Sequence, residues 1–378
     1  MDLGQKRMSG NGIRIAERKR SMIYKSNRWF QDIDRVTENT LPFLGELAGK
    51  SVMITGAAGL VLSPVVDILI RYNETHDTPI RILAAGRWLK EMTDRFGEYC
   101  DRAYFQFVVY DASRTDNEIT EKADYIIHGA SNASPDMIVK EPVETMMSNF
   151  TGMKYLLDVA KASGTKRLLY ISSSEVYGKK EGDQPYREGE YGYIDLLSAR
   201  NSYSVGKRAA ETLCASYADE YGVESVIVRP GHIYGPTAST MDRRVASAWA
   251  YAAARGEDIV MKSDGAQLRS YCHCLDCASA ILTVLLRGEG VHAYNISNPD
   301  AIVSIREMAE LLADSAGVTL RMELPTEEEK KGFNPMSNSS LDSTGLESLG
   351  WKGCFDAPAG FAETVEVLRE ILGSRPDF

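Results

Sequence analysis

A short apolar segment, Ser51–Thr55, leads directly into a glycine turn, Gly56-Ala-Ala-Gly59, and an amphipathic segment, Val65–Tyr72, soon follows. The first segment has the length of a buried strand, and the last has helical periodicity. Glycines between a strand and a helix let the backbone approach a ligand, while the free N–H groups and the helix dipole attract an anion. This order of elements therefore predicts a phosphate-binding turn.

Apolar strands continue to alternate with helical segments along the chain. The further predicted strands are Ile80–Ala85, Phe105–Tyr110, Tyr125–His128, Arg167–Ser172 and Ser225–Val228, and the long predicted helices are Pro142–Ala162 and Ser202–Tyr221. Such alternation predicts an α/β fold with a Rossmann-type doubly wound parallel sheet. Ligands bind at the carboxyl ends of the strands of such a sheet. The residues that the sequence puts there are Gly56, Asp111, Ala130, Ser173 and Pro230.

The chain divides into three predicted parts. Residues 1–48 form an N-terminal helical extension, with Trp29 and Ile33 on one apolar face. Residues 49–236 form the dinucleotide-binding Rossmann domain. Beyond Pro236 the alternation is less regular, so 237–378 is mainly a smaller C-terminal substrate-binding lobe, with 257–300 returning to the main domain. The charged loop Lys179–Glu190 is expected to be a solvated excursion.

Charge and composition narrow the classes of partner. The formal net charge is −10, from 43 basic and 53 acidic side chains, and no long basic stripe occurs, so nucleic acid is not expected as a partner. No apolar run is long enough to cross a membrane. The basic first twenty residues have no apolar segment behind them, which argues against a secretory signal. Six cysteines in a chain of 378 residues suit a reducing cytoplasm.

Tyr203 and Lys207 are one helical turn apart, so on a helix they share a face. An isolated phenol has a pKa of about 10, too high for a proton acceptor at neutral pH. An ammonium group beside it favours the phenolate and lowers that pKa. The pair therefore indicates a base that removes a proton from an alcohol, although on its own such a pair is more typical of a solvated helix face.

Four motifs occur in a fixed order: Thr55-Gly56-x-x-Gly59, Ser172-Ser-Ser-Glu-Val-Tyr-Gly178, Tyr203-x-x-x-Lys207 and Arg229-Pro-Gly-His-Ile-Tyr-Gly-Pro236. This set resembles the extended short-chain dehydrogenase/reductase family, which comprises NAD-dependent nucleotide-sugar epimerases, dehydratases and decarboxylases. The likeness runs from about residue 50 nearly to the C-terminus. Within the family, the UDP-glucuronate decarboxylases have segments similar to two in this chain, which are His128–Pro135 and Gly265-x-Gln267-x-Arg269-Ser270.

The resemblance implies catalytic roles for a few residues. Tyr203 would take the proton of the sugar 4-hydroxyl while hydride leaves C4 for the nicotinamide. Lys207 would hold the nicotinamide ribose and keep Tyr203 acidic. Ser173 would hydrogen-bond the 4-oxygen; standing alone, it is better explained as a strand-end serine that satisfies backbone groups.

A 4-keto group makes the C5 proton acidic and turns a C6 carboxylate into that of a β-keto acid. Decarboxylation of a UDP-glucuronate-like substrate is the preferred reaction. One class of dehydratase has an Asp–Glu pair where this chain has Ser174 and Glu175, which argues against that class. GDP-mannose dehydratases have Ser and Glu at these positions, so 4,6-dehydration stays open, as does 4-epimerisation. Glu175 is either catalytic or paired with Arg200 or Arg269. A cofactor-sensing or scaffold protein of the same fold is the alternative that is not an enzyme.

The resemblance also implies contacts with the cofactor and the substrate. The expected cofactor contacts are Gly56, Gly59, Leu60, Arg87, Asp111, Ala130, Lys207 and Pro230. The expected substrate contacts are Ser174, Arg200, His232, Arg244 and Arg269, of which Arg244 and Arg269 would clasp the nucleotide diphosphate. NAD is the expected cofactor and a nucleotide sugar the expected substrate. The helices Pro142–Ala162 and Ser202–Tyr221 resemble those that pair across a homodimer axis.

Three positions depart from the family pattern. Leu62 replaces the third glycine of the turn, which normally permits close packing of helix and strand. Arg87 follows the second strand where an acidic residue would hold an NAD ribose, so NADP stays open. His232 stands where relatives often have Asn, which points to a substrate other than UDP-glucuronate.

The segment Cys272-His-Cys-Leu-Asp-Cys277 suggests zinc at first sight. Adjacent ligands on a strand point to opposite faces, and no second cysteine pair at zinc-finger spacing accompanies them. The sequence therefore favours a strand that enters a helix and predicts no metal site.

Overall fold

The computed structural model describes residues 21–323, 325–326 and 337–373. Its main sheet has seven parallel strands in the order β10-β6-β5-β4-β1-β2-β3. They are β1 Ser51–Thr55, β2 Arg81–Gly86, β3 Phe105–Val109, β4 Tyr125–His128, β5 Arg167–Ile171, β6 Ser225–Pro230 and β10 Ala293–Ile296. The strand order reverses between β1 and β4, so the glycine turn after β1 lies at the switch point of the sheet. The predicted fold class is confirmed.

Helices cover both faces of the sheet. They are α1 Asn27–Thr40, α2 Ser63–Thr75, α3 Leu89–Phe96, α4 Pro135–Lys140, α5 Pro142–Ser163, α6 Ser202–Tyr221, α7 Val245–Ala254, α8 Cys274–Arg287, α9 Ile305–Ala316, α10 Thr344–Glu347 and α11 Ala357–Gly373. Side chains alternate along each strand. Val52 and Ile54 of β1 therefore enter the core under α2 and α8, while Met53 enters the core under α5 and α6.

The smaller sheets lie in the C-terminal part of the chain. Their strands are β7 His232–Tyr234, β8 Ile259–Met261, β9 Leu268–His273, β11 Ile302–Ser304, β12 Leu320–Met322 and β13 Asn338–Ser339. β9 pairs with β7, β11 and β13, and β8 pairs with β12. Of the predicted returning segment 257–300, only β10 joins the main sheet, since β8 and β9 pair within these smaller sheets. The domain boundaries themselves stay a prediction.

The loop Lys179–Glu190 is not purely a solvated excursion, so that expectation is wrong at its centre. Tyr186 is buried and stacks on Tyr177, with ring centroids 5.0 Å apart. Its N–H donates to the carbonyl of Ser340 at 2.9 Å. Burial of this aromatic ring holds the centre of the loop against the C-terminal segment.

The N-terminal segment forms two short 3-10 turns, Met22–Lys25 and Leu44–Leu47, on either side of α1. Trp29, Ile33 and Val36 are fully buried where α1 packs against α2 and α8. The predicted apolar face of this extension is therefore confirmed. The basic first twenty residues lie outside the described residues.

A buried polar cluster ties this extension to the main domain. Asp67 of α2 accepts hydrogen bonds from the hydroxyl of Tyr24 at 2.7 Å and from the indole N–H of Trp29 at 3.0 Å. It also pairs with Arg95 of α3, whose guanidinium lies 4.9 Å from the centre of the Tyr24 ring. One carboxylate thus joins the extension to the two helices that follow β1 and β2.

β9 ends at His273 and α8 begins at Cys274, as expected of a strand that enters a helix. Cys272, Cys274 and Cys277 are all buried thiols. Within the described ranges, His, Cys, Asp and Glu side chains do not gather in threes that would hold a metal ion. Among the same residues, no helix has both the length and the apolar character needed to cross a bilayer.

Candidate active site

The helix α6 brings Tyr203 and Lys207 to the carboxyl edge of the sheet. Lys207 is buried, and its ammonium donates to the carbonyl of Ile171, the last residue of β5, at 2.7 Å. The same nitrogen lies 5.6 Å from the centre of the Tyr203 ring. Burial lowers the pKa of Lys207 to about 7, while the carboxylate of Glu211 acts in the opposite sense.

The pKa of Tyr203 differs from the sequence expectation. It is raised above its ordinary value, because burial and the negative charge of Glu175 disfavour the phenolate. A hydrogen bond with Ser173 and the guanidinium groups of Arg244 and Arg200 oppose this shift without cancelling it. The helical spacing correctly predicted that Tyr203 and Lys207 lie on one face of α6. In the protein without a cofactor, however, Lys207 does not lower the pKa of Tyr203 below its ordinary value.

Ser173 and Glu175 lie where β5 passes into a 3-10 turn, Ser174–Tyr177. The hydroxyl of Ser173 accepts the N–H of Glu175 at 3.2 Å, the contact of a strand-end serine, and also bonds with Tyr203. Glu175 is half-exposed and accepts hydrogen bonds from the hydroxyl of Ser204 at 3.1 Å and from Arg200 at 3.4 Å. Of its two suggested partners, Arg200 is therefore the one in contact.

The glycine turn has the shape of a phosphate cradle. Gly56 has a φ of +76°, and a Cβ there would lie 3.0 Å from the backbone nitrogen of Ala130. A Cβ on Gly59 would lie 3.2 Å from the carbonyl oxygen of Gly56. The carbonyl of Leu60 accepts the hydroxyl of Thr237 at 3.0 Å, which fixes the turn from the other side. A backbone lined by such glycines fits the pyrophosphate of a dinucleotide.

A cavity of about 460 Å³ lies at the carboxyl ends of β2 and β3, the two strands that follow β1 in the sheet order. Arg87 and Asp111, both predicted to bind the cofactor, line it together with Trp88 and Val109. Trp88 is largely exposed, so its ring is available to a flat ligand. Pro230, the last residue of β6, lies at the same edge of the sheet.

The predicted diphosphate clasp lies around β7 and β9. Arg269 is buried and donates to the carbonyl of Leu268 at 2.8 Å, and Arg244 pairs with Asp242 at 2.5 Å. The side chain of His232 is exposed at the start of β7. Partial desolvation together with the charges of Arg269 and Arg244 lowers its pKa. The imidazole is therefore neutral at pH 7, close to two cations.

A sequence model of the NAD dependent epimerase/dehydratase family matches residues 52–297, which include the glycine turn, the Tyr203–Lys207 pair and Arg269. The chain belongs to this family.

Relatives within the family agree in sequence and fold. UDP-glucuronic acid decarboxylase 6 of Arabidopsis thaliana is 30% identical over 85% of this chain and 90% of its own length. A UDP-glucose 4-epimerase from Thermotoga maritima has a TM-score of 0.70 at 21% identity, over 85% of this chain and 99% of the other. A dTDP-glucose 4,6-dehydratase from Streptomyces venezuelae, solved with NAD bound, has a TM-score of 0.71 at 23% identity, over 85% and 98%. Both structures show the same fold.

Leu62, the departure from the family's third glycine, is buried against the end of β4. A Cβ on Gly129 would lie 2.5 Å from the Cδ1 of Leu62. Gly129, on the facing strand end, leaves the room that the side chain of Leu62 fills, and Leu62 packs there as part of the core.

We therefore expect Gly129→Ala to lower the free energy of unfolding by about 1–3 kcal/mol, because the added methyl overlaps Leu62. In a Leu62→Ala background the same change should cost much less, since the opposing side chain is gone. Urea denaturation of the two single variants and the double variant measures this coupling. Strictly additive losses would contradict the proposed contact between the two residues.

Several residues of this family member's site escaped the sequence reasoning. Asp242, Ser204 and Tyr271 contact predicted site residues, but no spacing rule connects them. Glu211 is different, because it follows Lys207 by one helical turn and Tyr203 by two, and that periodicity is visible in the sequence.

Proposed function

We propose that this chain modifies a nucleotide sugar through a 4-keto intermediate, and that the reaction is decarboxylation of a UDP-glucuronate-like substrate. The observation that carries the proposal is the convergence of Ser173, Tyr203 and Lys207 beside the glycine cradle. The names of its relatives, UDP-glucuronic acid decarboxylases, support the choice among reactions.

The chain's own groups would divide the work as follows. A bound nicotinamide dinucleotide supplies the hydride acceptor and, later, the donor. Tyr203 would accept the 4-hydroxyl proton, with the positive charge of an oxidised nicotinamide offsetting the raised pKa of its phenol, and Ser173 would hold the same oxygen. In the resulting β-keto acid the C5–C6 bond breaks, carbon dioxide leaves, and the electron pair passes toward the 4-oxygen, where these two hydroxyls stabilise the enolate. C5 would then take a proton from water, and as the 4-keto group is reduced Tyr203 would return its proton to the 4-oxygen.

We assign the diphosphate of the nucleotide sugar to Arg244 and Arg269. His232 lies on β7 and Arg269 on the paired strand β9, and the charges of both Arg244 and Arg269 act on the imidazole. Guanidinium groups match the oxygens of a diphosphate, and binding it would relieve their mutual repulsion. Ser174, half-buried beside Ser173, and Arg200 would contact the sugar.

Glu175 tests the choice among reactions. We expect Glu175→Gln to slow decarboxylation or dehydration far more than epimerisation, because epimerisation at C4 needs no carboxylate there. Ser204→Ala is the control, since it removes the contact with Glu175 and leaves the charge. Product analysis with a uronate and a neutral nucleotide sugar measures each rate. Equal losses in all reactions would remove the reason for preferring decarboxylation.

We assign NAD as the cofactor, on the strength of the family's description and the NAD of the related dehydratase structure. Arg87 at the cavity beside β2 would instead suit the 2′-phosphate of NADP. Denaturing the purified protein and identifying the released dinucleotide decides between them. Recovery of NADP would overturn the assignment.

A second copy of this chain is the proposed partner. Val143, Met146, Met147 and Phe150 are exposed along α5 at helical spacing, so they form one apolar stripe. Such a stripe on a water-facing helix favours an interface. Sedimentation should show a dimer that Met147→Glu with Phe150→Glu converts to a monomer; a monomeric wild type would refute the pairing.

The location is proposed from the thiols. All six cysteines are free, and four of them are buried. Free buried thiols suit the reducing cytoplasm that the sequence predicts. The alternative of a scaffold protein rests only on Leu62, which departs from the glycine pattern of the cofactor turn. That support is lost, because Leu62 packs into the core.

A further inference from the structure

Glu211 lies at the centre of a buried hydrogen-bond network next to the candidate catalytic residues. Its Oε1 accepts the hydroxyl of Ser172 at 2.5 Å and the Nε of Arg229 at 2.9 Å. Its Oε2 accepts the Nη2 of Arg229 at 2.7 Å. Arg229 is only 1% exposed, so this bidentate ion pair is removed from water and its geometry is tightly fixed.

Arg229 extends the network to the neighbouring turn. Its Nη1 donates to the hydroxyl of Tyr177 at 3.1 Å and to the carbonyl of Glu188 at 2.8 Å, and its Nη2 donates to the hydroxyl of Tyr191 at 3.1 Å. Tyr177 ends the 3-10 turn that contains Glu175. Ser172 comes directly before Ser173. The segments that carry Ser173, Glu175 and Tyr203 therefore all meet at the Glu211–Arg229 pair.

Glu211 also influences the charge of Lys207. The ammonium is surrounded by the carbonyl of Ile171, by the rings of Tyr170 and Tyr203, and by His128 of β4, whose pKa it helps to lower. Burial pushes the pKa of Lys207 down to about 7, and the carboxylate of Glu211 is the group that opposes it. At neutral pH the balance between amine and ammonium therefore depends on Glu211.

We propose that Glu211 is a positioning residue of this site: through Arg229 and Ser172 it holds the turn of Ser173 and Glu175 against α6, and its carboxylate, one helical turn from Lys207, favours the charged form of that side chain. The role in turnover rests on the proposed function. The effect on the charge of Lys207 does not, and it is measurable without any substrate.

Glu211→Gln keeps the shape of the side chain and removes its charge. The test is the pH dependence of the ¹³Cε chemical shift of Lys207 in the full chain from pH 5 to 9, because this NMR signal reports the charge of the amine without any reagent having to reach the buried side chain. We expect the midpoint for Lys207 to fall by about 1 pH unit or more. In turnover, the alkaline loss of kcat/KM should move to lower pH by a similar amount, since the ammonium is lost as the pH rises through its pKa.

Controls separate this role from simple stabilisation. Tyr177→Phe removes a contact of Arg229 but no charge, so it should lower the thermal midpoint without moving the Lys207 midpoint. Glu211→Asp should keep the Lys207 midpoint. If Glu211→Gln does not fold, the double variant with Arg229→Gln leaves no unpaired buried charge and should show the same lowered midpoint.

An unchanged Lys207 midpoint in Glu211→Gln, or in the double variant, overturns the proposal. An equal shift in Tyr177→Phe does so as well, because that variant retains the carboxylate. A wild type whose Lys207 titrates as expected but that converts no nucleotide sugar would instead refute the proposed function and leave the charge effect established.

Discussion

Tyr203→Phe is expected to lower kcat by about 10²–10⁴-fold while the protein stays folded. The change removes the hydroxyl that would accept the proton of the sugar 4-hydroxyl and keeps the buried ring. Because the hydroxyl is assigned to the chemical step, KM should change much less than kcat. Steady-state kinetics with a UDP-uronate, together with circular dichroism, measure both properties.

Tyr104→Phe is the matched control for that variant. Tyr104 lies just before β3, at the amino end of the sheet, and its buried hydroxyl has no hydrogen-bond partner among the described residues. Its removal should leave kcat unchanged. Full activity in Tyr203→Phe would refute the assignment of the base, and an equal loss in Tyr104→Phe would trace the effect to packing.

Asp67→Asn is expected to lower the free energy of unfolding by about 3–5 kcal/mol, because it leaves the buried guanidinium of Arg95 without its counter-charge. The carboxylate also accepts hydrogen bonds from Tyr24 and Trp29, so the N-terminal extension should pack less tightly against the main domain in this variant. Urea denaturation measures the loss, and hydrogen exchange in α1 reports whether the extension detaches.

Asp34→Asn provides the comparison, since Asp34 pairs with Arg71 near the surface, where both side chains are about a third exposed or more. Such a pair contributes at most about 1 kcal/mol. Similar losses in the two variants would show that the buried cluster around Asp67 has no special role in holding the extension.

The fold was predictable because its signals are local. Apolar runs such as Tyr125–His128 and helical runs such as Ser202–Tyr221 have the observed bounds, and a glycine turn after the first strand fixes the switch point. The short strands β8 and β11 were not predicted, because three residues carry no measurable periodicity. Nor does Lys179–Glu190 reveal that Tyr186 turns inward, since its partner Ser340 is distant in the sequence.

The sequence was enough to predict which residues form the candidate site, but not the direction of their pKa shifts. Spacing gives the shared face of Tyr203 and Lys207, but not the depth at which α6 buries them, and burial decides the direction of both pKa shifts. The contact of Leu62 with Gly129 escaped for a similar reason. Neither residue stands out in the sequence, and only the contact between them shows how Leu62 is accommodated at the position of the third glycine.

Incubating the purified full chain with UDP-glucuronate and with neutral UDP-, GDP-, CDP- and dTDP-sugars, followed by mass spectrometry, tests the central claim most directly. Loss of carbon dioxide from the uronate, dependent on Tyr203, is the result expected of a nicotinamide-dependent decarboxylase. Loss of water from a neutral sugar, or epimerisation without a change of mass, would contradict decarboxylation. No conversion of any nucleotide sugar by protein loaded with the dinucleotide would contradict the 4-keto route altogether.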